Sequence, residues 1–158
     1  MNKKFGFTLI ELLTVVVILG ILTSIALPQY RKAIQRTENA NALTNLKTIF
    51  DSAKRFKSTT SHWPTAFNQL DVELLDVSEE GNMGEFQYKF TTTNEGTASA
   101  CRLVNGSAEN TYCLRAHYRQ NGRRDVYTCE YAREKFQSLC DSLCRTPATG
   151  ANMECVIE

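Results

Sequence analysis

The sequence predicts an α+β fold, in which a long N-terminal α-helix packs on a small antiparallel β-sheet and disulfides staple the C-terminal region. Three observations predict it. Residues 7–27 form an apolar run in which Glu11 is the only ionisable side chain. Apolar residues then recur at helical spacing as far as Phe56, and the period shortens to two around Phe86. All six cysteines fall after residue 100.

The apolar run is long enough to cross a bilayer as a helix, which takes about 20 residues. Lys3 and Lys4 precede it and Pro28 ends it. A carboxylate at hydrocarbon depth costs about 2.5–3.5 kcal/mol, so Glu11 needs a reason to be there. A cleaved secretory signal would have a shorter apolar core and a small-x-small cleavage site, and Pro28-Gln29-Tyr30 is no such site. A plain anchor, with its lysines held in the cytoplasm, explains the length but leaves Glu11 unexplained. A cut after Gly6 explains it. Phe7 then carries the terminal amine, and Glu11 lies one helical turn away. In an apolar bundle, that carboxylate pairs with the amine of a neighbouring copy and fixes the axial register.

Lys3-Lys4-Phe5-Gly6 followed by Phe7-Thr8-Leu9-Ile10-Glu11, with Pro28 at the twenty-second position after the cut, resembles the class III signal peptide of type IV pilins and type II secretion pseudopilins. The resemblance is specific over residues 3–30 and loose beyond them. It implies cleavage between Gly6 and Phe7 by a prepilin peptidase, which also N-methylates Phe7. It implies storage in the inner membrane with the N-terminus cytoplasmic. The pilus assembly machinery would then build a helical homo-oligomeric filament at the cell surface, with Phe7, Glu11 and Pro28 as assembly residues. The domain expectation follows: residues 1–6 a removed leader, 7–28 a transmembrane or filament-core helix, 29–57 an amphipathic helix, and 58–158 a globular head. Tyr30 and the cysteine-rich tail favour a pilin serving adhesion, twitching motility or DNA uptake. The alternative is a secretion pseudopilin.

Along the helix, Val15, Val16, Val17 and Ile18 are poor helix formers in water, but a bilayer leaves the backbone little alternative. Gly20, Ser24 and Ala26 permit close helix approach. Pro28 removes one backbone bond and is expected to bend or break the helix. Tyr30, Arg31 and Lys32 read as an interface anchor. Ala42, Leu46, Ile49, Ala53 and Phe56 then form one buried stripe, widened by Leu43 and Phe50. The helix is expected to end near Lys57.

In the head, Trp63 before Pro64 marks a turn and is expected to cap a core. Residues 66–77 read as a short helix or loop, and 78–84 as a loop. Phe86, Tyr88 and Phe90 alternate with polar residues as a strand does. Further strands are expected at 98–104, 112–118 and 126–131, with turns at Asn94-Glu95-Gly96, Asn105-Gly106 and Asn121-Gly122. The expectation is thus three or four antiparallel strands, followed by a short helix within 130–143.

Six clustered cysteines behind a membrane-targeting start favour disulfides in an oxidising compartment. Six cysteines allow about fifteen connectivities, among which spacing does not choose. The expected pairs are Cys101–Cys113 across a hairpin, Cys129–Cys140 and Cys144–Cys155. The second rests on the resemblance, because pilins close a C-terminal surface loop with a disulfide.

Cys140-x3-Cys144 has a ligand-compatible spacing, but there is no CxxC and only His62 and His117 to assist, so zinc is not expected. Asp71, Glu73, Asp76, Glu79 and Glu80 match no calcium loop and read as solvated acids. No metal or other cofactor is expected. No Gly-rich phosphate loop, HExxH or G-x-S-x-G is present, and the expectation is a non-enzymatic protein. Charge is balanced, 18 Lys+Arg against 17 Asp+Glu, so no general basic field draws nucleic acid. Arg119, Arg123 and Arg124 around Asn121-Gly122 are too few, without an aromatic platform, to support DNA as a partner. A solvated hairpin tip is the expectation.

Overall fold

The computed structural model describes residues 7–72, 81–91, 96–109, 111–119, 124–145 and 154–157. The chain divides into two compact units, Met1–Asn39 and Ala40–Glu158. Helix α1, Leu9–Thr60, contributes its first part to one unit and its last part to the other.

In the first unit the apolar side chains of α1 are exposed, from Leu9 through Leu27. The hydroxyls there turn back on their own helix: Thr14 Oγ1 donates to the Glu11 carbonyl (2.9 Å), Thr23 Oγ1 to Leu19 (2.7 Å) and Ser24 Oγ to Ile21 (2.7 Å). A polar side chain satisfied this way adds little to the cost of an apolar surrounding. Pro28 does not end the helix, and α1 continues on both sides of it. Where a break was one expectation, the loss of a single backbone bond is absorbed.

The second unit packs the last part of α1 on a six-stranded antiparallel sheet. The strands are β1 Asn82–Met83, β2 Phe86–Thr91, β3 Thr97–Arg102, β4 Tyr112–His117, β5 Val126–Tyr131 and β6 Glu154–Val156, in the simple order β1-β2-β3-β4-β5-β6. The expected stripe is the packing face: Ala42, Leu46, Ile49, Phe50 and Ala53 are buried. The first four share one cluster with the inward residues of the sheet, Tyr88, Ala98, Ala100, Leu114, Ala116 and Tyr127. The alternation is sharp in β4, where Tyr112, Leu114 and Ala116 are buried between half-buried Cys113, Arg115 and His117. The small alanines Ala98, Ala100 and Ala116 of β3 and β4 share this buried cluster with the bulky Phe50 and Ile49 of the helix.

Three sequence expectations need correction. Among the described residues the sheet has six strands, not three or four, because β1 and β6 are two and three residues long and too short to show a period. Helix α1 runs three residues past Lys57. Ser61 then takes a left-handed conformation (φ 67°) and donates its N–H to the Lys57 carbonyl at 2.8 Å, the hydrogen bond that usually closes a helix on a glycine. Glu130 and Tyr131 stay in β5, and the helix expected within 130–143 narrows to a 3₁₀ turn, Glu134–Phe136, followed by α2, Gln137–Asp141. Of the expected turns, Asn105-Gly106 joins the Val104–Ser107 bridge with both residues at positive φ (54° and 77°). Asn121-Gly122 and the pair Asn94-Glu95 lie outside the described residues.

Candidate assembly site

The first turn of α1 is built by two residues. Thr8 sits just before the helix, and its carbonyl accepts the Leu12 N–H (3.3 Å). Its hydroxyl oxygen accepts the Glu11 N–H (3.3 Å), while Glu11 Oε2 accepts the Thr8 N–H (2.8 Å) and the Thr8 hydroxyl proton (2.6 Å). This reciprocal arrangement satisfies two backbone donors that a helix start otherwise leaves open. Glu11 also places negative charge at the positive end of the helix dipole. Sequence reasoning singles out Glu11 and misses Thr8, although Thr-x-x-Glu before an apolar run is the capping signature.

Of the other residues named for assembly, Phe7 lies exposed ahead of the helix and Pro28 lies within it. Gly6 falls outside the described residues. Tyr30 is exposed on the helix surface. This helix is the one among the described residues that is long and apolar enough to cross a membrane.

The second unit is fixed by four further devices. Cys101 and Cys113 are direct register partners on β3 and β4, with Sγ atoms 2.07 Å apart. Cys129 of β5 meets Cys140 of α2, and Cys144, just past α2, meets Cys155 of β6, both at disulfide distance. Asp71 is more than a solvated acid: Arg55 clamps it and the Ser52 hydroxyl bonds it, which ties Asp71 to α1. Glu73, Asp76, Glu79 and Glu80 lie outside the described residues. Trp63 stacks near Phe50 (centroids 6.1 Å, 10°) and meets Tyr118 edge-on (5.2 Å), while the Lys57 ammonium sits over both the Trp63 and Tyr118 rings (4.3 and 4.5 Å). Lys54 bridges Asp51 (2.6 Å) and Asp125 (2.7 Å). Partial burial pulls its pKa down, but the two carboxylates outweigh that and raise it. Arg119 is exposed and its backbone N–H reaches Asp125 (3.4 Å); Arg124 is also exposed, and Arg123 lies outside the described residues.

Residues 1–27 match the prokaryotic N-terminal methylation motif. A fimbrial protein of Pseudomonas aeruginosa is 36 % identical over 112 residues, which cover 68 % of this chain and 73 % of that one. This chain belongs to the type IV pilin and pseudopilin family. The type IV major pilin protein PilA of Myxococcus xanthus is 42 % identical over 80 residues, 51 % of this chain but only 34 % of that longer relative. The type II secretion system core protein G of Vibrio cholerae is 34 % identical over 72 residues, 46 % of this chain and 49 % of that one. The two relatives named as pilin or fimbrial protein match at higher identity and over longer stretches than this secretion protein. Within the family the pilin reading is therefore favoured over the pseudopilin reading.

Proposed function

We propose that this pilin is a structural, non-enzymatic subunit of a type IV pilus, assembled through the first part of α1. One observation carries the reading: the contrast along a single helix. From Leu9 to Leu27 its apolar side chains are exposed, whereas from Ala42 to Ala53 its apolar face is buried under a sheet. An exposed apolar surface of that length requires lipid or copies of itself as cover. We assign the cover in two stages. Before assembly, residues 7–28 lie in the inner membrane with the N-terminus cytoplasmic and the head outside. After assembly they line a filament core.

Processing supplies the second half of the site. Cleavage between Gly6 and Phe7 by a prepilin peptidase, with N-methylation, leaves a cationic amine at Phe7. Glu11 of one subunit pairs with that amine on its neighbour. In a medium without water an unpaired charge is costly, so the pair favours one axial register. The three disulfides harden the head that would face the cell exterior.

Mass spectrometry of the mature chain is expected to find N-methyl-Phe7 as the first residue; an intact Met1 refutes the processing step. Glu11→Val is expected to stay in the membrane fraction but to lower the yield of sheared filaments strongly. Wild-type filament yield from that variant would remove the register role. Electron microscopy at native expression separates pilin from pseudopilin, because surface filaments are expected only of the pilin.

A further inference from the structure

Four of the six cysteines form one closed ring. Cys129 and Cys155 are direct register partners on β5 and β6. Opposed residues of an antiparallel pair project to the same face, with Cα atoms about 4.5–5.5 Å apart, within the span a disulfide takes. The same sheet shows this relation bonded: Cys101 and Cys113, direct partners on β3 and β4, form a disulfide with a Cα separation of 4.0 Å. Cys140 and Cys144 are one turn apart, and the Cys144 N–H donates to the Cys140 carbonyl at 3.1 Å. The observed bonds run across the ring, Cys129–Cys140 and Cys144–Cys155, with Cα separations of 5.5 and 5.9 Å. The ring thus has a second complete pairing, Cys129–Cys155 with Cys140–Cys144.

Burial orders the route between them. Cys129 and Cys140 are 0 % exposed and Cys155 is 3 % exposed, while Cys144 is half-buried. A small thiol from solvent therefore enters at Cys144. Cys155 Sγ already lies 3.7 Å from the Cys129 carbonyl oxygen, against the residue whose sulfur it would attack.

We propose that this ring is a thiol-triggered disulfide switch that docks or releases α2 while keeping β6 on the sheet. An external thiolate attacks Cys144 Sγ. The Cys144–Cys155 bond breaks, a mixed disulfide forms on Cys144, and the electron pair leaves on Cys155. The Cys155 thiolate attacks Cys129 Sγ, forming Cys129–Cys155 and expelling the Cys140 thiolate. Cys140 then attacks Cys144 Sγ and expels the external thiolate. Three exchanges occur, no oxidant or reductant is consumed, and the thiol is regenerated. In the product β6, only three residues long, is bonded directly to its neighbour β5. Helix α2 loses its disulfide to the sheet, so Leu139 within it and Leu143 just after it, both packed against the core, can leave the core and become a surface. The proposal rests on the cysteine pairs and not on the pilus reading.

The test uses the full chain in detergent micelles at mildly alkaline pH with substoichiometric glutathione, quenched by alkylation and digested with trypsin without reduction. In the starting pairing, the peptides 125–133, 136–145 and 146–158 stay joined as one three-peptide species. After exchange, 125–133 is joined to 146–158 alone, and 136–145 is released with an internal disulfide. Release of that peptide, with the peptides that carry Cys101 and Cys113 still cross-linked, is the expected result. Persistence of the three-peptide species, or scrambling that includes Cys101 and Cys113, overturns the proposal. Cys140→Ser provides a second reading without added thiol: alkylation is expected at Cys144, because Cys129 captures Cys155. Alkylation at Cys129 with Cys144–Cys155 intact overturns it.

Discussion

Arg55 grips Asp71 with two parallel hydrogen bonds, Nε to Oδ2 and Nη2 to Oδ1, each 2.7 Å long. The fork geometry matches a carboxylate edge to edge. Ser52, one turn earlier on α1, adds its hydroxyl to the same carboxylate and accepts the Asp71 N–H at 3.1 Å. Asp71 thus pins the chain that follows α1 back onto that helix.

This relationship predicts an acid-sensitive head. The Arg55 and Ser52 hydrogen bonds hold the Asp71 carboxyl well below the usual carboxylate range. A group whose pKa is depressed on folding contributes stability above its unfolded value, near 3.9, and loses it as the pH falls further towards the folded value. Urea midpoints measured from pH 6 down to pH 2 are expected to fall most steeply below about pH 4. Asp71→Asn is expected to lower the midpoint at pH 6 and to flatten that limb. The pair is solvent-exposed, so the effect is expected to shrink at high salt. An unchanged acid limb in Asp71→Asn would remove Asp71 as its source.

Gly96 is expected to be intolerant of any side chain. It sits at φ 51°, and a Cβ there would lie 1.9 Å from Trp63 Cζ2. The Gly96 carbonyl also accepts the Tyr118 N–H at 3.1 Å, so the backbone has little room to retreat. Gly96→Ala combines left-handed backbone strain with overpacking, for a destabilisation of about 3 kcal/mol. Trp63 is the only tryptophan, so its fluorescence reports the unfolding directly. A loss below about 0.5 kcal/mol, the scale of an ordinary surface change, would show that Trp63 moves aside freely.

The Lys57 ammonium over two rings predicts a smaller effect at the same place. Lys57→Met keeps the aliphatic stem and removes the charge. Cation–π contacts at partly exposed sites are worth about 0.5–1 kcal/mol each. The expected result is a drop of a few degrees in Tm with an unchanged fold, read by circular dichroism. A Tm equal to or above that of the parent chain would assign the Lys57 contribution to its stem alone.

Legibility in the sequence follows the length of the periodic signal. The stripe from Ala42 to Ala53 spans three helical turns, and the alternation Phe86, Tyr88, Phe90 spans a full strand; in both, the residue pattern alone names the buried face. Met83 and Val156 lie in strands of two and three residues, where no period exists. The Asp71 clamp is illegible because its partners, Ser52 and Arg55, are 19 and 16 residues away on α1, and a surface acid beside other acids looks solvated. Thr8 is legible in principle. Its spacing to Glu11 is the capping signature, but the cost of a charge in hydrocarbon points first to a partner on another chain.

Thr8 therefore yields the last prediction, which separates the local role of Glu11 from its role between subunits. If the carboxylate is organised first by its own chain, Thr8→Ala removes the hydroxyl that both accepts the Glu11 N–H and donates to Oε2. Losing a threonine cap typically costs about 1 kcal/mol of helix start. In micelles, the amides of Glu11 and Leu12, bonded to the Thr8 hydroxyl and carbonyl, are expected to exchange roughly five-fold faster, with those beyond Leu13 unchanged. Thr8→Ser, which keeps the hydroxyl, is expected to restore protection. Filament yield adds the second axis. Thr8→Ala retains Glu11, so it should assemble more slowly than the parent but to a higher yield than Glu11→Val. Equal yields from Thr8→Ala and Glu11→Val would mean that the capped first turn, and not the charge pair, controls assembly.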